Sequence, residues 1–169
     1  YNLTWVGYFS RHNSLMKRLF KKGKNFSEDE KNLLLDYHID ILAAQKNQMR
    51  VLKKFGQLEL SCSPMYHPIL PLVYDNHSAR EAMPNCLLPE EKFSWPEDAQ
   101  KQISSAKSYF EGLIGEQPAG MWPSEGSLSN NILNMLAEEN IKWVATDEDV
   151  LKNSKDNYED LEKFFPRRY

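Results

Sequence analysis

The chain has 169 residues, 41% of them apolar and 27% charged, which suits a soluble globular domain with a core of its own. Its net charge of -3 and pI near 5.8 leave no excess of lysine and arginine, so nucleic acid is not an expected partner. The most apolar stretch, Pro68-Ile69-Leu70-Pro71-Leu72-Val73, is broken by prolines and far short of the ~20 residues that a membrane span requires.

Residues 1 to 6, with Leu3, Trp5 and Val6 around Thr4, read as a strand rather than a signal peptide, which needs a basic start and a long apolar run. The chain opens on Tyr1 rather than Met, so the true start is expected elsewhere. Leu15, Leu19 and Phe20 among Lys17, Arg18, Lys21, Lys22 and Lys24 predict a short amphipathic helix with a solvated basic face. Ser27 followed by Glu28, Asp29 and Glu30 is a capping-box pattern. A long helix is expected from it, with Leu34, Leu35, Ile41, Leu42, Met49 and Leu52 as a core stripe to Lys54 and Gly56 as the terminating residue. The alternation in Gln57-Leu58-Glu59-Leu60-Ser61-Cys62 predicts a strand with one polar face. Prolines 64, 68 and 71 then predict a rigid, non-helical binding loop.

A second cycle begins at Trp95-Pro96-Glu97-Asp98, where proline and acids fit a first helical turn. Ala99, Ile103, Ala106, Phe110 and Leu113 carry the helical spacing to Gly115. Ala119 to Trp122 is a short strand candidate. Ser127 to Glu139 reads as a helix with Ile132, Leu133 and Leu136 inward, and Ile141 to Thr146 as a strand closed by Asp147. Four strands alternating with helices imply right-handed crossovers and a parallel sheet, hence an α/β fold. A complete eight-unit barrel takes roughly 200 residues or more, so four strands are part of a closed sheet rather than all of it.

In such sheets the ligand site lies at the carboxyl ends of the strands. This singles out the loop Ser63-Pro64-Met65-Tyr66-His67-Pro68 after Glu59, the stretch Gly120-Met121-Trp122-Pro123-Ser124-Glu125-Gly126, and the turn Thr146-Asp147-Glu148. Each residue also has a plain structural role open to it. Glu125 suits the first turn of the following helix, Trp122 a core, His67 a hydrogen-bonded histidine, Asp147 a helix cap and Glu59 an exposed strand position.

The segment from Gly56 to Leu72 resembles the second characteristic region of glycoside hydrolase family 57, and Gly120-Met121-Trp122-Pro123-Ser124-Glu125-Gly126-Ser127-Leu128-Ser129 resembles its third. Ala79-Arg80-Glu81-Ala82-Met83-Pro84 and Trp143-Val144-Ala145-Thr146-Asp147-Glu148 are similar to family members in the same order and spacing. The resemblance implies part of an incomplete seven-stranded TIM-like barrel, a single catalytic domain over 1–169 cut at both ends, and an α-glucan substrate. It implies a retaining hydrolase or transglycosylase of the α-amylase or glucanotransferase type, with Glu125 as nucleophile. Glu59, His67, Trp122 and Asp147 are the expected substrate-binding residues. The family's His-Gln-Pro first region does not occur here, and its fourth region, which supplies the acid Asp, is expected beyond Tyr169. The piece alone is therefore expected to be inactive.

Two other readings compete. A metal-dependent polysaccharide deacetylase is faintly suggested by Pro118-Ala119-Gly120, but His12, His38, His67 and His77 lack a ligand spacing. A non-catalytic carbohydrate-binding or regulatory module would keep the barrel without the acid. No cofactor or metal is expected, and the cysteines Cys62 and Cys86, too few for a disulfide framework, favour a reducing, cytoplasmic setting.

Overall fold

The computed structural model describes residues 1–154, which fall into two compact units, one of residues 1–58 and one from Glu59 onward. In the first unit, α1 (Ser14–Lys22) and α2 (Glu28–Lys54) form where the charge and apolar spacing predict them. Asn13 caps α1 through Leu15 N–H, and Ser27 and Glu30 close a full capping box on α2. Val6, Met16, Leu19 and Leu34 form this unit's core.

Two expectations fail in this unit. Residues Asn2–Trp5 form a short 3₁₀ turn rather than a strand, with Thr4 donating through both its N–H and its hydroxyl to the Tyr1 carbonyl. No strand of the described residues pairs with it, so the backbone satisfies itself locally. The apolar stripe of α2 is also mostly not core. Leu34 is buried, but Leu35, Leu42, Met49 and Leu52 are exposed. A helix of 27 residues runs about 40 Å, whereas the nine residues of α1 cover about 14 Å. Its partner within the unit is too short to bury the whole stripe.

Glu30 ties the capping box to α1, because Lys22 also binds its carboxylate. The Lys22 ammonium, followed by the Ser27 N–H, holds the Glu30 carboxyl below its ordinary range. A carboxyl whose pKa is depressed on folding stabilises the folded state above its unfolded pKa and loses that contribution as pH falls. Acidification is therefore expected to melt helical signal from this unit, and Lys22→Ala to shrink that acid-dependent loss, as read by circular dichroism. An identical acid profile in the variant would remove this linkage.

The second unit is α/β and mostly helical, with a small parallel sheet. Its elements are β1 (Ser61–Cys62), α3 (Leu70–Tyr74), α4 (Ala79–Ala82), α5 (Pro96–Ile114), β2 (Gly120–Met121), α6 (Asn130–Glu138), β3 (Trp143–Val144) and α7 (Glu148–Asn153). The strands lie in the order β1-β2-β3, all parallel, with Ser61, Gly120 and Trp143 in one row and Cys62, Met121 and Val144 in the next. Among the described residues three strands stand where four were expected, and the strand read at 57–62 pairs only through its last two residues.

The second row faces the core. Met121 packs with Leu70, Ala99, Ile103, Ala106, Ile132, Leu136 and Ile141, and Cys62 and Val144 lean on the same cluster. Full burial of such side chains stabilises by about 1.5–3 kcal/mol each. The helix at 96–114 forms as expected, with proline in its first turn and Gly115 left-handed at its end. The expected helix at 127–139 starts later, at Asn130, because Ser129 takes the capping position and accepts from Ile132 N–H. Leu133, expected inward, is 40% exposed, since Ile132 and Leu136 already fill the face turned to the core. Pro71, assigned to a non-helical loop, sits in the first turn of α3, where a missing N–H costs nothing. No helix of the described residues is long and apolar enough to cross a membrane.

Candidate active site

The carboxyl ends of β1 and β2 carry the chemistry-bearing loops. The sheet ladder continues one step past the strands, with Trp122 N–H donating to the Cys62 carbonyl over 2.8 Å. The loop after β1 is held from outside by α5. Met65 N–H bonds the Gln102 carbonyl at 3.2 Å and Tyr66 N–H bonds the Gln102 side-chain oxygen at 2.9 Å. The next residue, His67, is thereby placed over the end of β2.

His67 Nε2 lies 3.1 Å from Glu125 Oε1, and the His67 ring packs 5.4 Å from the Trp122 ring at 52°. An ionised carboxylate only accepts hydrogen bonds, so an ionised Glu125 requires the proton of His67 on Nε2. Both partners have left-handed backbones, with φ of 56° at His67 and 55° at Glu125. For residues other than glycine this conformation costs roughly 1–2 kcal/mol and persists only where the surroundings enforce it.

At Glu125 the enforcement is visible. Pro123 and Ser124 are buried ahead of it, and Gly126 follows with φ of 68°. The Gly126 carbonyl accepts the Thr146 hydroxyl at 2.6 Å, and a β-carbon at Gly126 would meet the Thr146 backbone at 3.5 Å. The chain therefore turns abruptly and presents the Glu125 side chain outward, 70% exposed, beside His67.

The plain structural role open to Glu125, a place in the first turn of the following helix, is not what is found. α6 starts at Asn130 under its own cap, Ser129, so the acid stands outside the turn where the helix dipole acts strongly. Its polar support comes from His67 instead.

Of the five residues singled out in the sequence, the structure gathers Glu125, His67 and Trp122 into one cluster. Asp147 stands beside it in the chain segment that packs on Gly126, and its carboxylate caps α7 by accepting Asp149 N–H at 2.8 Å. Glu59 has a different neighbour, because its Oε1 accepts the indole N–H of Trp143 at 2.9 Å. Trp143 was not singled out as a site residue; the sequence carries no sign of this contact, because it depends on the register that sets Trp143 in the row of Ser61 and Gly120. Tyr66, 80% exposed beside His67, was likewise passed over.

At the end of β1, burial pushes the Cys62 thiol up, away from the thiolate form. Among the described residues no three His, Cys, Asp or Glu side chains converge in a metal-binding arrangement.

Comparison with known proteins bears directly on this cluster. Over 101 residues the chain is 24% identical to "Alpha-amylase 1" of Dictyoglomus thermophilum, a match that covers 60% of this chain and 12% of that protein. The chain thus spans well under two thirds of the length of this relative. No solved structure matches it. The family model "Glycosyl hydrolase family 57" matches residues 1–168, which is nearly the whole sequence, and the chain belongs to that family.

Proposed function

We propose that the protein carrying this chain cleaves or transfers α-glucans with retention, through a covalent glycosyl intermediate on Glu125. The observation that carries the reading is the 3.1 Å contact between His67 and Glu125, two left-handed residues held against their backbone preference at the carboxyl ends of parallel strands. Strained positions of this kind cluster at catalytic sites. Family membership and the amylase relative support the choice of substrate class.

Retention takes two carboxyl groups roughly 5 to 5.5 Å apart, one ionised to attack the anomeric carbon and one protonated to serve the leaving oxygen. In this reading an oxygen of Glu125 forms the new bond to the sugar carbon as the glycosidic bond breaks. The departing oxygen takes its proton from an acid outside the described residues. Water or another glucan hydroxyl then displaces Glu125, so hydrolysis and transfer share the intermediate. His67 donates to the Glu125 carboxylate and orients it, while Trp122 offers an apolar ring face to a sugar. Glu59 and Asp147 bind sugar hydroxyls, each with one carboxylate oxygen already engaged by the protein. The three parallel strands are then one arc of an incomplete seven-stranded barrel.

The test is trapping. A fluorinated glucosyl fluoride, whose fluorine slows departure from the enzyme, is expected to leave one glucosyl adduct on the peptide containing Glu125 in the full-length protein. An adduct on another carboxylate would move the nucleophile elsewhere. Turnover that gives the opposite anomer would end the retaining reading.

A further inference from the structure

The face of the sheet turned away from the helices holds a contact that the proposed chemistry leaves unexplained. Ser61, Gly120 and Trp143 form one row across β1, β2 and β3, and Glu59, two residues ahead of β1, reaches the Trp143 ring on that row. The indole of Trp143 lies flat over Gly120. A β-carbon built on Gly120 would stand 2.1 Å from Trp143 Cε2 and 2.3 Å from two further ring atoms, so any larger residue at 120 displaces the ring. From that position the indole N–H reaches Glu59 Oε1 at 2.9 Å, across 84 residues of sequence. An indole nitrogen only donates, which fixes the direction of the bond. Glu59 has no other hydrogen-bond partner among the described residues.

We propose that Trp143 is a positioning residue for Glu59: seated over Gly120, its indole N–H holds one carboxylate oxygen so that the other meets a sugar hydroxyl of an α-glucan. The inference rests on the sugar-binding reading of Glu59 given above. Packing is a poor alternative explanation. The ring's contact with Gly120 seats Trp143, but Glu59 is solvent-exposed and Trp143 is 40% exposed, and a hydrogen bond at such an exposed pair contributes little to folding. A carboxylate on a flexible side chain samples several rotamers, and fixing one before the ligand arrives removes that ordering from the cost of binding.

The chain has four tryptophans, Trp5, Trp95, Trp122 and Trp143, so its indole N–H resonances are few enough to assign by substitution. Trp143→Phe identifies the Trp143 signal and keeps an aromatic ring over Gly120. Glu59→Ala is expected to move that signal upfield, as loss of a charged acceptor requires. Maltoheptaose titrated into the chain and followed at the Trp122 indole then gives Kd. Trp143→Phe and Glu59→Ala are each expected to weaken binding about tenfold, and the double variant no further, because one acts through the other.

Losses that multiply in the double variant would overturn the positioning role, since Trp143 would then act independently of Glu59. Unchanged binding in Trp143→Phe alongside weakened binding in Glu59→Ala would also overturn it, while leaving the reading of Glu59 intact. Unchanged binding in Glu59→Ala, or no response of the unsubstituted chain to the sugar, would instead remove the reading beneath it.

Discussion

Glu125→Gln in the full-length protein is expected to lower kcat on α-glucans on the order of 10⁴-fold while leaving KM within a few-fold. The amide is nearly isosteric with the carboxylate and can pair with either His67 tautomer over the observed 3.1 Å, its oxygen accepting from an Nε2–H or its nitrogen donating to a bare Nε2, so the cluster keeps its shape. What disappears, in the proposed mechanism, is the ability to form an ester-like bond to a sugar carbon. Removing a nucleophile from a cooperating set of groups typically forfeits four to six powers of ten, on the order of the losses measured elsewhere. Glu125→Ala gives the complementary result. Added azide fits the vacated space and attacks in place of the carboxylate, so partial activity is expected to return with a glucosyl azide as product. Activity within tenfold of the unsubstituted protein in Glu125→Gln would rule out Glu125 as the nucleophile and leave His67 and Glu125 as a structural pair.

The largest expected effect on stability lies away from the site. Lys107 on α5 is buried, and its ammonium binds both the Glu139 carboxylate, at 2.7 Å, and the Glu139 backbone carbonyl. Gln100, two turns earlier on α5, binds the other carboxylate oxygen. The end of α6 is thus fastened to the middle of α5 by one acid. Lys107→Met keeps the packing volume but leaves that carboxylate and carbonyl without their cation. Breaking a buried pair costs about 3–5 kcal/mol, and the partial exposure of Glu139 reduces the expected loss to about 2–4 kcal/mol. Urea unfolding should register it as a lower midpoint at an unchanged slope. Adding Glu139→Gln should recover part of the loss by removing the stranded charge. A change under about 0.5 kcal/mol in Lys107→Met would mean that the pair is a bystander.

How far the sequence could be read depended on whether each signal was local. Capping chemistry is local, so the start of α2 at Ser27 and the stop of α5 at Gly115 were legible to the residue. Burial is not local. The apolar spacing of α2 correctly announced a helix, but how much of its stripe finds a partner depends on the length of neighbouring elements, which periodicity does not encode. The same holds for the opening residues. Leu3, Trp5 and Val6 have strand-like composition, yet a strand needs a second strand beside it, and here the backbone turns on itself at Tyr1. The cluster around Glu125 was legible through resemblance in two separated segments, but its internal wiring was not. That His67 rather than a helix terminus supports Glu125, and that Glu59 bonds Trp143, both depend on strand register across 58 and 84 residues.

The left-handed backbone at Glu125 sets stability and chemistry against each other at one position. Glycine there would relax the turn and favour folding, since only glycine adopts such angles freely, and it would erase the proposed nucleophile in the same stroke. A screen of random variants for heat resistance should therefore enrich substitutions at 125 that are inert toward glucan, so selection for robustness alone would drive this protein away from its proposed trade.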